Sequence, residues 1–140
     1  MTDLREVGKG LPHRYPFHMI DRVIEFVPGL RAVAVKAISS DDFFLSNHVP
    51  GRPSMPEVLI VEALAQTGGI ALLSAREGGT AVLVGVEQME FNKTVGPGAR
   101  LTLWAEVEFR FGGMAKVRVR AEADSALVAQ GILVLAEGER

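Results

Sequence analysis

The sequence predicts an α+β domain in which a long antiparallel sheet wraps one buried helix. Three observations point there. A run from Met55 to about Arg76 places apolar residues on every side of a helix, and strand patterns flank it, two before and about four after. No internal repeat, low-complexity tract or Pro/Gly/Ser-rich linker divides residues 1–140, so they are expected to form a single domain.

The elements follow in order. Arg22–Val27 and Arg31–Ile38 read as two strands around a turn, because Pro28-Gly29 interrupts an apolar, β-branched pattern. Phe43–Val49 is irregular and runs into Pro50-Gly51-Arg52-Pro53, where two prolines forbid a helix interior. Ser54-Met55-Pro56-Glu57 then fits a capping box, with the Ser54 side chain on the N–H of residue 57 and Glu57 reaching back. Gly78-Gly79 marks the end of the helix or the loop just beyond it.

Thr80–Glu87 is almost continuously apolar and predicts a central strand covered on both faces. Leu101–Arg110 alternates, with Leu101, Leu103, Ala105, Val107 and Phe109 on the inner face. Lys116–Asp124 alternates too, with Val117, Val119, Ala121 and Ala123 inward. A two-residue turn at Gly112-Gly113 would put Glu108 opposite Val117 and the faces out of phase. A three-residue loop through Met114 is therefore expected, setting Glu108 opposite Arg118 and Glu106 opposite Arg120. A further hairpin through Asp124-Ser125-Ala126 leads into the last strand, Leu127–Ala136.

Composition narrows the function. Hydrophobic residues are 48% of the chain and charged ones 23%, an ordinary globular balance. A formal net charge of −2 gives no electrostatic reason to expect a nucleic-acid or anionic-membrane partner. With no cysteine there is no disulfide scaffold, thiolate metal site or cysteine nucleophile. The first residues carry mixed charge and no apolar stretch like a secretory h-region, and no run of about 18 apolar residues occurs, so a cytoplasmic protein is expected. Walker A, G-x-S-x-G, H-E-x-x-H and strand-linked G-x-G-x-x-G motifs are absent. His13 and His18 lie five apart on a Pro-interrupted segment, poor geometry for a metal, and no metal site is expected.

His48 stands apart from them. It occupies the Asn47-His48-Val49-Pro50-Gly51 stretch, just before a helix whose apolar run contains one acid, Glu62. A carboxylate there needs pairing or protonation. One reading is structural: Glu62 bonds Gln66 one turn on, or a nearby backbone group, and His48 is a polar loop residue. The other is chemical, with base and acid converging on an apolar pocket to remove a proton beside a carbonyl and expel a hydroxyl.

The segments LPHRYPFHMIDRV at 11–23, NHVPGRPSMPEVLIVEALAQ at 47–66 and GVEQMEFNKTVGPGARL at 85–101 together resemble the FabZ-type 3-hydroxyacyl-[acyl-carrier-protein] dehydratases of fatty-acid synthesis. The resemblance runs in order over nearly the whole chain. It implies a hot-dog fold, dimers joined edge to edge with shared active sites, and further assembly into a trimer of dimers. It makes His48 the base at C2 and Glu62, from the other subunit, the acid at the C3 hydroxyl. Pro50, Gly51, Glu57 and Val58 would border the substrate, with N–H groups at the helix start facing the thioester oxygen. No metal or organic cofactor is implied. The substrate would arrive on the phosphopantetheine arm of an acyl carrier protein.

Three positions depart from the family pattern. Asn47 and Glu57 stand where it has glycine, and Val49 where it has phenylalanine. Glu57 brings a carboxylate to the place where enolate-like charge develops. Two alternatives stay open beside the dehydratase: a weakly active or inactive module that binds an acyl carrier or partners a homologous subunit, and an acyl thioesterase. Lys116, Arg118 and Arg120 read as a carrier-docking face or, pairing with Glu106 and Glu108, as an ordinary solvated strand face.

Overall fold

The computed structural model describes residues 19–42, 53–72 and 80–138. The order is β1 (Arg22–Val27), β2 (Arg31–Ala37), α1 (Glu57–Leu72), β3 (Thr80–Phe91), β4 (Arg100–Phe111), β5 (Met114–Ala123) and β6 (Ala126–Gly138). All six strands join one antiparallel sheet in the order β1-β2-β4-β5-β6-β3. The inner face packs on α1, as the alternation predicts: Leu101, Leu103, Ala105, Val117, Val119, Leu133 and Leu135 meet Ile60, Leu64 and Ile70 in one core. Burying each large aliphatic side chain contributes about 1.5–3 kcal/mol. Gly68 lets the helix approach the sheet, since a Cβ there would lie 2.9 Å from Leu135 Cδ1 and 3.5 Å from Val117 Cγ1.

The β4–β5 connection differs from the expected three-residue loop. Phe111 pairs with Met114, so the turn is Gly112-Gly113 alone, with φ of +51° and +79°. Positive φ at both positions matches the right-handed twist of the strands, and glycine adopts it without strain. The phase problem is absorbed elsewhere: Val107 faces Val117 and Phe109 faces Lys116, leaving Glu108 as an extra bulged residue. Beyond this bulge the faces exchange, so Phe109, expected inward, is 58% exposed. The register becomes Glu106 opposite Arg118 and Trp104 opposite Arg120, two residues from the expected pairing. The next hairpin is likewise tighter than expected, turning at Asp124-Ser125 with Ala123 paired to Ala126.

β3 also departs from expectation. It runs on to Phe91 and lies at the edge of the sheet, not at its centre. Val82, Val84 and Val86 are 56%, 54% and 49% exposed. The apolar run predicts cover on both faces, and among the described residues that cover is missing.

The capping box is not formed. The Leu59 and Ile60 N–H groups both donate to the Pro56 carbonyl, so α1 starts at Glu57 and Ser54 lies outside the first turn. Met55 N–H, just ahead of the helix, donates to Val95 O at 2.8 Å, which ties this stretch to the β3–β4 loop. At the far end, α1 stops at Leu72 among the described residues; the expected extension toward Arg76 and the Gly78-Gly79 terminus lie outside them.

Candidate active site

The start of α1 is held against residues 92–99. Besides the Met55 bond, Gly96 presses on the Pro53 carbonyl: a Cβ at Gly96 would stand 2.6 Å from that oxygen, so no other residue fits without movement. From this fixed start Glu57 and Val58 project outward, Val58 being 72% exposed. One side of the first half of α1 stays open, with Leu59, Val61, Glu62 and Ala65 half-buried. These positions and Val58 fall three and four apart, along a single stripe. From Gln66 to Leu72 every residue is buried.

Glu62 sits on that stripe. Its Oε1 accepts a hydrogen bond from Gln66 Nε2 at 3.0 Å, one helical turn on. Gln66 is 2% exposed, and its Oε1 accepts the Met19 N–H at 2.8 Å. The second bond fixes the amide, because a backbone N–H can only donate. Oxygen therefore faces Met19 and the NH2 group faces Glu62. The structural reading of Glu62 is thus realised in part, since Gln66 does bond it. The same bond also fixes the carboxylate at the edge of the open stripe, oriented by a buried group, as a reacting acid requires.

Val58 and Glu62, four apart, thus share one side of α1, whereas Glu57, exposed in the first turn, lies about 140° round the helix from Glu62. His48, Pro50 and Gly51, with Asn47 and Val49, lie outside the described residues, as do His13 and His18. The described chain flanks the His48 segment at Asp42 and at Pro53.

The cations of β5 are engaged. Lys116 Nζ lies 3.0 Å from Glu87 Oε1, Arg118 bonds Glu108 at 2.8 Å, and the Arg120 guanidinium lies 4.4 Å above the Trp104 ring. The hydrogen bond from Arg118 to Glu108, reinforced by their attraction, raises the Arg118 pKa further, so it stays charged. Paired charges leave little net field, which favours the solvated-face reading. Sequence reasoning missed Lys36, which is 9% exposed. Its signal was available: it shares the inward phase of Ala32 and Ala34 on β2.

Comparison with known proteins places these features among relatives. A FabA-like domain model matches residues 11–132. The chain is 45% identical over 133 residues to the 3-hydroxyacyl-[acyl-carrier-protein] dehydratase FabZ of Ruminiclostridium cellulolyticum, covering 94% of each chain. It is 39% identical over 138 residues to the FabZ dehydratase of Listeria monocytogenes, covering 97% of this chain and 96% of that one. Among solved structures, the dehydratase heterocomplex ApeI:P from Xenorhabdus doucetiae superposes with a TM-score of 0.78 at 16% identity, covering 100% of this chain and 94% of that one. A hot-dog-like protein from Thermanaerovibrio acidaminovorans gives a TM-score of 0.65 at 21% identity, over 81% and 84% of the two chains. At these identities the structural matches speak for the hot-dog fold alone.

Proposed function

The chain belongs to the FabA-like family and is a 3-hydroxyacyl-[acyl-carrier-protein] dehydratase of the FabZ kind, and from that premise we propose that His48 and Glu62 carry the reaction. The observation supporting this most directly is Glu62 itself, an acid in an apolar helix, held by Gln66 at the margin of an open apolar stripe.

In this reading His48 removes the C2 proton of the 3-hydroxyacyl thioester as enolate-like charge builds on the thioester oxygen. Backbone N–H groups at the start of α1, beside Glu57 and Val58, stabilise that charge through hydrogen bonds and the helix dipole. Glu62 delivers a proton to the C3 hydroxyl, the C3–O bond breaks, and water leaves as the C2–C3 double bond forms. Pro50, Gly51 and Val58 border the thioester. The substrate arrives on the phosphopantetheine arm of an acyl carrier protein, and the product feeds fatty-acid synthesis.

Two copies complete the site. The β3 edge and the stripe on α1 are apolar surfaces of one protomer that water would otherwise cover. Pairing the two β3 edges would extend the sheet, satisfy the outer main-chain groups of β3, and close a shared crevice over Glu62. His48 of one protomer would meet Glu62 of its twin there. Dimers of this kind could stack further into a trimer of dimers. Among the described residues no helix is long and apolar enough to cross a membrane. We place the enzyme in the cytoplasm, with residues 1–140 acting as one hot-dog domain.

The test is turnover of 3-hydroxyacyl thioesters followed by absorbance of the conjugated enoyl product. His48→Ala and Glu62→Gln should each lower kcat by about 10²–10⁴-fold with the oligomer intact on gel filtration. Full turnover by both variants would overturn the assignment. Release of free acid in place of the enoyl thioester would point instead to thioester hydrolysis.

A further inference from the structure

The outer face of the sheet, turned away from α1, carries its side chains in rows that cross the strands. Phe111 of β4 lies opposite Met114 of β5, Met114 opposite Ala136 of β6, and Ala136 opposite Val82 of β3. One apolar row thus crosses four strands. The next row on this face is Phe109, Lys116, Val134 and Gly85, and Val134 leans over Gly85, where a Cβ would stand 3.4 Å from Val134 Cβ and Cγ2. Phe109 and Phe111 stack with ring centroids 5.3 Å apart. Phe109, Val82 and Met114 are 58%, 56% and 37% exposed, so the described residues leave this face open.

The bulge at Glu108 builds the patch. Without it the alternation of β4 would carry Phe109 and Phe111 inward, and the extra residue turns both outward. Contiguous apolar surface of this kind marks an interaction site. Its border decides what fits. The third row holds Glu106, Arg118, Ile132 and Glu87. Lys116 bonds Glu87 at 3.0 Å and Arg118 bonds Glu108 at 2.8 Å, so both cations are matched and, with Glu106, acids outnumber them three to two. An acidic carrier protein or an anionic membrane would need the opposite excess. A second copy of the face brings the same mixture of signs and can set each cation over an acid. Three rows on four strands cover roughly 400 Å², less than the ~800 Å² per partner of a standard interface. The patch alone is therefore too small to hold two isolated protomers, whereas protomers already joined at their β3 edges present it twice.

We propose that the rows from Phe111 to Val82 and from Phe109 to Gly85 form the surface by which one dimer docks on the same face of another, with Phe109 as the anchor. This rests on the reading of the protein as a dimer joined at β3. Sheets pack face to face at about 10 Å, a gap that exposed aromatic side chains can fill. Aromatic anchors of this sort carry most of the energy of such contacts.

The experiment is sedimentation velocity over a range of concentrations, with kcat, KM and melting temperature measured alongside, for the full chain and for Phe109→Glu, Met114→Glu and Ile24→Glu. Ile24 is 41% exposed but lies on β1, at the opposite edge of the sheet. The wild-type protein should form assemblies larger than a dimer. Phe109→Glu and Met114→Glu should each weaken that association by at least about tenfold and leave dimers with kcat within about twofold of wild type. Ile24→Glu should assemble as wild type does. Wild-type protein that stays dimeric, Phe109→Glu and Met114→Glu proteins that assemble unchanged, or equal dispersal by Ile24→Glu would overturn the proposal. So would unchanged assembly with a raised KM for carrier-bound substrate, which would give the face to the carrier protein. Monomeric wild-type protein would instead remove the β3-joined dimer on which the proposal stands.

Discussion

From Gln66 to Leu72 every residue of α1 is buried, whereas from Glu57 to Ala65 the stripe of Val58, Leu59, Val61, Glu62 and Ala65 stays partly open. Both halves are written in the same apolar alphabet. The second half is closed by the protomer's own sheet, with Gly68 drawn close to Val117 and Leu135. The first half is left uncovered, and Glu62 stands on it. The same division separates β4 and β5, paired on both sides, from β3, whose outer edge has no neighbour among the described strands. The acid therefore sits on the half of α1 that the described sheet leaves partly open.

Truncation of each half should separate stability from function. Leu64 is fully buried, and Leu64→Ala should lower unfolding stability by about 2–5 kcal/mol in denaturant titration. Val58 is 72% exposed, and Val58→Ala should change stability by less than about 0.5 kcal/mol while raising KM. Comparable destabilisation by both would mean the halves do not differ as described.

The smallest expected effect concerns Glu57. Its carboxylate stands in the first turn of α1, and with no bond to Ser54 it is not drawn back from the helix start. Glu57→Gly should raise kcat/KM by a few-fold, about 1 kcal/mol or less of relieved repulsion toward developing negative charge. An unchanged rate would show that this carboxylate does not sense the reaction.

Much of this was legible in the chain. Arg22–Val27 is β1 as read, and Val117, Val119, Ala121 and Ala123 are all inward. The Glu108 bulge was not legible: alternation holds on either side of it, and an inserted residue reverses the phase without changing the local pattern. The apolar run of β3 does not record how many strands lie beside it, so an edge strand reads like a central one. Glu62 was legible as an acid out of place, whereas the orientation of its amide partner depended on Met19, 47 residues away along the chain from Gln66. Lys36 was legible only as a charge in an inward phase; its partners, the Asp21 and Asp42 carboxylates at 3.6 and 3.9 Å from Nζ, come together through the fold.

The most direct test of a site shared between protomers is complementation between inactive subunits. His48→Ala and Glu62→Gln protein, mixed in equal amounts and allowed to exchange subunits, should recover about one-quarter of wild-type activity, since about half the dimers become mixed and each mixed dimer holds one intact site. Two inactive variants that exchange subunits, shown by differential tagging, and recover no turnover would contradict it.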